Sequence, residues 1–488
     1  MDFVLSLDER PYVPVYRSLS DALRKAILEG RLKSGQSLPS VRDLASMLKM
    51  SRSTVLRAFE DLQSQGYVES ARGIGTIVCK RLPGEIPESS LLKAQVESPE
   101  TSKAIDFSDY GKRLLSIADL EKREEQHLPQ VNYGGPPLNL TPLSQWKHML
   151  QRHCRLKDLS LLAYSVEPFG YPPLREAMAA YLRRARAVHC SSDQVIVFSG
   201  REARFDLICR VLLNPGDCVA VENPGFPSFR HRLASHGARI IPIPVDEHGI
   251  NVAALEASKE KIKFVCVTPS HHDPTGAVLS EERRQQLLKW AYRTGAFIVE
   301  DDFDSEYRYG GRPLPSIQGL DQGDCVLHLH CFWKVLFPVV RLGFMIVPKC
   351  LSQVIQLAKE KIERDPPLID QFALTDLIND GYIERHIKRT HEIYARRRQA
   401  IIYALSRFMA DRAELLSSIT GTDVLVRLKT KMDTNEVLKL AANCGLSMAS
   451  TNSFYVGPHV ENEYLIAFGP MDEEITAASV REFASRLS

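Results

Sequence analysis

The chain has 488 residues, too many for one hydrophobic core, so at least two domains are expected. Hydrophobic residues make up 44% and charged residues 25%, as in a globular protein, and a formal net charge of +2 excludes a global field for nucleic acid. No apolar run approaches about 18 residues and Asp8, Glu9 and Arg10 arrive too early for a signal peptide, so a cytoplasmic protein with no membrane span is expected.

Ten cysteines form no CxxC pair, so no metal site or disulfide framework is expected, and they read as buried free thiols. The charge is uneven. Residues 1–82 carry 13 Lys/Arg against 9 Asp/Glu, a net +4. A small basic module on a near-neutral body fits DNA binding.

Three helical patterns follow one another in that module. The first covers about residues 17–30, with Leu19, Leu23, Ala26 and Ile27 on one face and Gly30 at its end. The second opens at Ser40 with Asp43 three residues on, like a capping box. The third runs from Ser51 to about Gln65 with Val55, Ala58, Phe59 and Leu62 inward. Lys49 and Met50 form the turn of a helix-turn-helix. After Gly66 the order strand, glycine turn, strand over residues 67–79 predicts a wing. Arg52, Ser53, Thr54 and Arg57 lie at the polar N-terminal end of the third helix, where a recognition helix meets base edges and phosphates.

Residues 82–127 begin with a Pro/Ser/Glu-rich run and read as a linker, with a short charged helix over about 108–126. From about 128 onward apolar runs alternate with helical patterns, which predicts an α/β domain with a mainly parallel sheet. Val195–Gly200 leads into a helix at Arg201, and such a helix start suits a phosphate. Phe226, after Asn223-Pro224-Gly225, is placed to stack on a flat ring or to fill the core. The run Val299-Glu300-Asp301 reads as the carboxyl end of a buried strand, where ligands of open α/β sheets sit.

The chemistry concentrates at Lys334. It stands alone in an apolar stretch, Cys331-Phe332-Trp333-Lys334-Val335-Leu336. An apolar-flanked lysine is usually snorkelling or ion-paired. A desolvated one has a neutral amine that condenses with an aldehyde. Pyridoxal phosphate (PLP) needs a lysine for its aldehyde and a carboxylate for its ring nitrogen, and Asp301 is the candidate carboxylate.

Residues 14–80 resemble the winged helix of the GntR regulators, on Leu38-Pro39-Ser40-Val41-Arg42-Asp43-Leu44-Ala45, Ser51-Arg52-Ser53-Thr54-Val55 and Gly73-Ile74-Gly75-Thr76. The span from about 128 to 488 is similar to fold-type I PLP-dependent aminotransferases. That likeness rests on Gly170–Ala177, Asn214-Pro215-Gly216-Asp217, Glu222–Pro227, Thr268–Gly276, Glu300–Tyr309 and Lys334–Gly343. Together the two halves resemble the MocR subfamily of bacterial regulators. The resemblance implies a winged helix-turn-helix over 10–81, a linker over 82–127, and an aminotransferase-like PLP-binding effector domain over 128–488. That last domain would have a large, mainly parallel sheet and a small α+β part.

Carried over by position, Lys334 would be the Schiff-base lysine, Asp301 the ring-nitrogen partner and Arg341 a phosphate ligand beside Gly200 and Arg201. Phe226 would stack on the ring, and Asp273 would stand near its hydroxyl. Ser40, Arg42, Arg52, Ser53, Thr54 and Arg57, with the wing at Ile74 and Gly75, would face operator DNA.

Three departures from the aminotransferase pattern stand out. Phe303 replaces a tyrosine, Cys331 and Trp333 replace small serines, and Leu465 stands where a substrate-carboxylate arginine belongs. The expectation is a regulator that senses PLP, an amine or amino acid presented to it, or both, acting as a head-to-tail homodimer without turnover. The alternatives are a working aminotransferase with a DNA module and a regulator whose pocket no longer takes PLP. Arg201, Arg204, His271 and His272 read as surface charges sooner than as readers of an acidic effector.

Overall fold

The computed structural model describes residues 14–71, 73–83, 106–125, 137–155, 167–310, 314–363, 366–417 and 419–487. Arg72 of the wing, linker residues 84–105, the boundary at 128 and residues 311–313 lie outside these. The chain divides into two compact units after Ile105.

The first unit is the winged helix. Helix α1 (Val15–Leu28) buries Leu19, Leu23, Ala26 and Ile27, the stripe read from the sequence. Helix α2 (Val41–Met47) is capped by Ser40, whose oxygen accepts the Asp43 N–H at 3.2 Å. Helix α3 (Arg52–Ser64) is capped by Ser51, which accepts the Thr54 N–H at 3.1 Å. Each cap satisfies one orphan donor of its first turn and contributes about 1 kcal/mol. Lys49 takes φ 53°, which turns the chain sharply between α2 and α3. Ser20 ties α1 to α3 by donating to Asp61. Strands β1 (Val68–Ala71) and β2 (Gly75–Val78) pair antiparallel as the wing, and Val68 and Val78 close the core.

The second unit starts earlier than the sequence suggests. Residues 109–125, assigned above to the linker, form helix α4 (Asp109–Glu125). Arg113 of α4 donates to the Ser235 carbonyl at 2.8 Å, and the Tyr110 ring lies 5.4 Å from that of His236. These contacts make α4 part of the second unit, which begins at Asp106.

Its large sheet has eight strands in the order β3-β10-β9-β8-β7-β4-β5-β6. These are β3 (Val195–Phe198), β4 (Cys218–Asn223), β5 (Arg239–Asp246), β6 (Gly249–Ile250), β7 (Ile262–Val267), β8 (Phe297–Asp302), β9 (Val326–Cys331) and β10 (Gly343–Ile346). Strands β9, β8, β7, β4 and β5 run parallel, while β10 is antiparallel to β3 and β9. Side chains alternate between two buried faces. Phe264, Cys266, Val299 and Leu329 fill one face, and Val265, Val267, Ile298 and Val326 the other. A smaller antiparallel sheet, β11 (Ala413–Ser417), β12 (Asp423–Leu428), β14 (Glu463–Ala467) and β13 (Met448–Ser450), forms the second layer of the unit. Most cysteines are buried, but Cys154 and Cys350 are exposed and Cys79 is half-buried, a correction to the reading of all ten as core thiols.

Gly170 opens the link into helix Pro172–Arg186 at φ +108°, and an added Cβ there would collide with the Val197 side chain. Gly170→Ala is therefore expected to cost about 1–3 kcal/mol, seen as a lower denaturation midpoint with an unchanged slope.

Candidate functional site

Arg42, Arg52 and Arg57 are exposed on α2 and α3, as is the N-cap Ser40. Thr54 and Ser53 share hydrogen bonds with Ser51 at 2.7 and 2.9 Å, so their hydroxyls are ordered at the start of α3. Ile74 is 65% exposed at the wing tip beside Gly75, an apolar side chain with no fold-internal reason to face water.

The second site is a cavity of about 520 Å³ at the carboxyl ends of the parallel strands. Chain order does not bring its lining together; strand direction does. Thr268 follows β7, Asp301 lies near the end of β8, and Cys331 ends β9. The seven residues assigned to the cofactor, Gly200, Arg201, Phe226, Asp273, Asp301, Lys334 and Arg341, all line this one cavity.

Lys334 lies in the short helix Trp333–Leu336 and is 5% exposed. Its Nζ donates to Thr422 Oγ1 at 3.1 Å. Helix Arg201–Leu212 begins at Gly200 with no side-chain cap, so its first N–H groups are left open. A Cβ at Gly200 would meet nothing within 4 Å, so free space adjoins that helix start. The Arg201 guanidinium stands 5.6 Å from the Phe226 ring and 5.5 Å from the Trp333 ring. Trp333 lines the cavity with its ring centroid 3.9 Å from that of Phe337.

At the other end Asp301 is 7% exposed, with Arg204 at 3.9 Å. Burial pushes its carboxyl up, while Arg204 and Arg201 pull it back. Arg204 is 2% exposed and donates to the carbonyls of His330 and Phe344, at 2.6 and 3.0 Å. His271 pairs with Asp304 at 2.6 Å. Burial would lower His271, but the adjacent Asp304 carboxylate outweighs it and the net shift is upward. His272 reaches the Pro224 carbonyl at 3.0 Å, and burial drives it down to about 3. Arg204, His271 and His272 are thus buried framework, not the surface charges the sequence suggested.

Several residues escaped the sequence reading. Thr422 and Asp423 reach the cavity from the small sheet, and no motif marks them. Glu222 accepts both the hydroxyl and the N–H of Thr268, at 2.7 and 3.1 Å. Asp302, His328 and His330 bring potential ligand atoms within 4.8 Å of one another, a cluster that cysteine spacing does not reveal. Arg186 holds Asp302 at 2.8 Å and His328 pairs with Glu300 at 3.1 Å, so the cluster reads as a buried charge network behind Asp301.

Burial pushes Glu222 from 4.5 to about 8, against the hydrogen bonds of Thr268. Its folded-state proton contributes stability that is full below 4.5 and lost as pH rises through about 8. Glu222→Gln keeps an acceptor for Thr268, so denaturant unfolding over this range should decline with pH more steeply in the parent than in the variant.

Residues 15–78 match the bacterial regulatory proteins of the gntR family, and residues 133–475 match aminotransferase class I and II. Over 484 residues the chain is 31% identical to the probable rhizopine catabolism regulatory protein MocR of Rhizobium meliloti, covering 99% of this chain and 95% of that one. It is 28% identical to the pyridoxine biosynthesis transcriptional regulator PdxR of Corynebacterium glutamicum, covering 100% and 99%. The kynurenine aminotransferase of Pyrococcus horikoshii superposes with a TM-score of 0.67 at 27% identity, covering 79% of this chain and 96% of that structure. A winged helix and an aminotransferase fold on one chain, matched end to end by regulators built the same way, make this protein a GntR-type transcriptional regulator of the MocR subfamily.

Proposed function

We propose that the winged helix binds operator DNA while the second unit holds PLP on Lys334 and reads a small amine or amino acid through it. The observation that carries this reading is convergence. A buried lysine amine, an uncapped helix N-terminus and a buried carboxylate face one cavity of about 520 Å³, a size that suits a cofactor. When bound, PLP supplies an aldehyde reactive toward amines and an electron-withdrawing ring. The open N–H groups at Gly200 and Arg201, with Arg341, would take the phosphate, and Asp301 the ring nitrogen.

A sensor fits better than a working aminotransferase. Leu465 packs with Leu425 and Phe454 in an apolar cluster that Phe226 joins, so no cation stands there for a substrate carboxylate. Phe303, which offers no hydroxyl, lies against His271 with ring centroids 5.8 Å apart. A head-to-tail homodimer would place two winged helices on paired half-sites, and the exposed arginines of α2 and α3 would meet phosphates and base edges there.

Two measurements test this reading. With added PLP, the parent should show the visible absorbance band of lysine-bound cofactor and Lys334→Ala should not; a parent spectrum of free PLP alone would overturn the cofactor assignment. Arg52→Ala and Arg57→Ala should each weaken operator binding by about tenfold or more and flatten its salt dependence, read by fluorescence anisotropy. Unchanged affinity in both would remove α3 from the DNA interface.

A further inference from the structure

The cavity holds more negative charge than PLP and Lys334 require. Its two lining arginines, Arg201 and Arg341, belong to the proposed phosphate end, and Arg201 also pairs with Glu202 at 2.9 Å. Asp301 is taken by the ring nitrogen in the same reading. Asp273 would stand by the ring hydroxyl, which leaves the carboxylate of Asp423 without an assigned partner.

Asp423 is the first residue of β12, and its backbone is fixed by pairing opposite Ala467 of β14. It is 7% exposed and what it exposes lines the cavity. It directly follows Thr422, the residue that Lys334 touches. Among the described residues its side chain forms no hydrogen bond or ion pair within 4 Å, and the positive groups that act on it from farther off are Lys334 and His271. A buried carboxylate left without a donor costs free energy, and the group that would relieve it is a cation. Of those two positive groups, His271 is held by Asp304 at 2.6 Å and Lys334 is committed to the cofactor in the reading above. Phe226, Phe303, Val340 and Leu342 give the rest of the lining an apolar character suited to methylenes. The position expected to hold a carboxylate-binding arginine is Leu465, buried in an apolar cluster.

We infer that the effector is a small diamine, not an amino acid: one amine engages the cofactor at Lys334 and the second ammonium rests on Asp423. This inference depends on the PLP reading above and narrows its ligand class. An α- or ω-amino acid would bring its carboxylate toward Asp423 and be repelled, while a monoamine would leave Asp423 unpaired.

Three probes with the same four-carbon span separate these cases in full-length, PLP-loaded protein: 1,4-diaminobutane, n-butylamine and 4-aminobutyrate. The readouts are displacement of the lysine-bound absorbance band and isothermal titration calorimetry. The diamine should bind tighter than n-butylamine by about tenfold or more, and 4-aminobutyrate weakest. Asp423→Asn should bring the diamine and n-butylamine close together, and Asp423→Glu should restore most of the difference. Tightest binding by 4-aminobutyrate, or a diamine preference that survives Asp423→Asn, overturns the inference while leaving the PLP reading intact. Should Asp423→Asn fail to fold, the ranking of the three probes on the parent decides the matter. Absence of the lysine-bound band in the parent overturns the PLP reading, and this inference falls with it.

Discussion

The second unit is built around the problem of keeping three consecutive carboxylates out of water. Glu300, Asp301 and Asp302 are all buried at the end of β8. A strand points successive side chains to opposite faces, so Asp301 looks toward the cavity and its neighbours look away from it. On the far face Glu300 accepts the N–H groups of Ile317 and Gln318 at 2.8 and 3.0 Å and pairs with His328. Asp302 is held by Arg186. Burial would raise both carboxyls, but these partners outweigh it and hold them low. Asp301 has Arg204 only at 3.9 Å, so burial wins and its carboxyl moves up. One tripeptide thereby supplies two structural anions and one that remains available to a ligand.

Arg204 does more than balance charge. By donating to the carbonyls of His330 and Phe344 it links the ends of β9 and β10, whose antiparallel pairing breaks the parallel run of the sheet. The strand that leads into Lys334 is thus fastened to the strand that follows Arg341. Both cavity residues sit on a rigid frame, which is what a site needs to hold a small cofactor in one pose.

Lys334 also joins two layers of the unit. It comes from the turn after β9, and its amine reaches Thr422, which precedes β12 of the small sheet. A ligand that released Lys334 from Thr422 would bind a conformation without that link better than the one with it, and such differential affinity for two conformations is the thermodynamic requirement for shifting their equilibrium. Gly421 matters here too. It takes φ +75°, and an added Cβ would strike the His271 ring, so the approach of Thr422 and Asp423 to the cavity depends on a residue without a side chain.

Much of this protein could be read from short stretches of chain. Amphipathic spacing and the serines at 40 and 51 were enough for the three helices of the winged helix, because caps and helical periodicity act within about four residues. The lone lysine in an apolar run and the carboxylate at a strand end were likewise visible, since desolvation is written in immediate neighbours. Helix α4 was seen as a charged helix but misplaced in the linker, because its affiliation rests on Arg113 meeting a carbonyl 122 positions away. The burial of Arg204, His271 and His272 was missed for the same reason: their partners, from Asp301 and His330 to Asp304 and Pro224, are brought in by sheet order. Asp423 carries no motif at all, and its place in the cavity comes from the start of a strand of the small sheet. Residue chemistry and local periodicity identified the modules and the reactive amine. Which charges are buried, and which carboxylate lines the cavity near that amine without a hydrogen bond, depended on long-range strand pairing, because solvent exclusion is a property of the assembled layers.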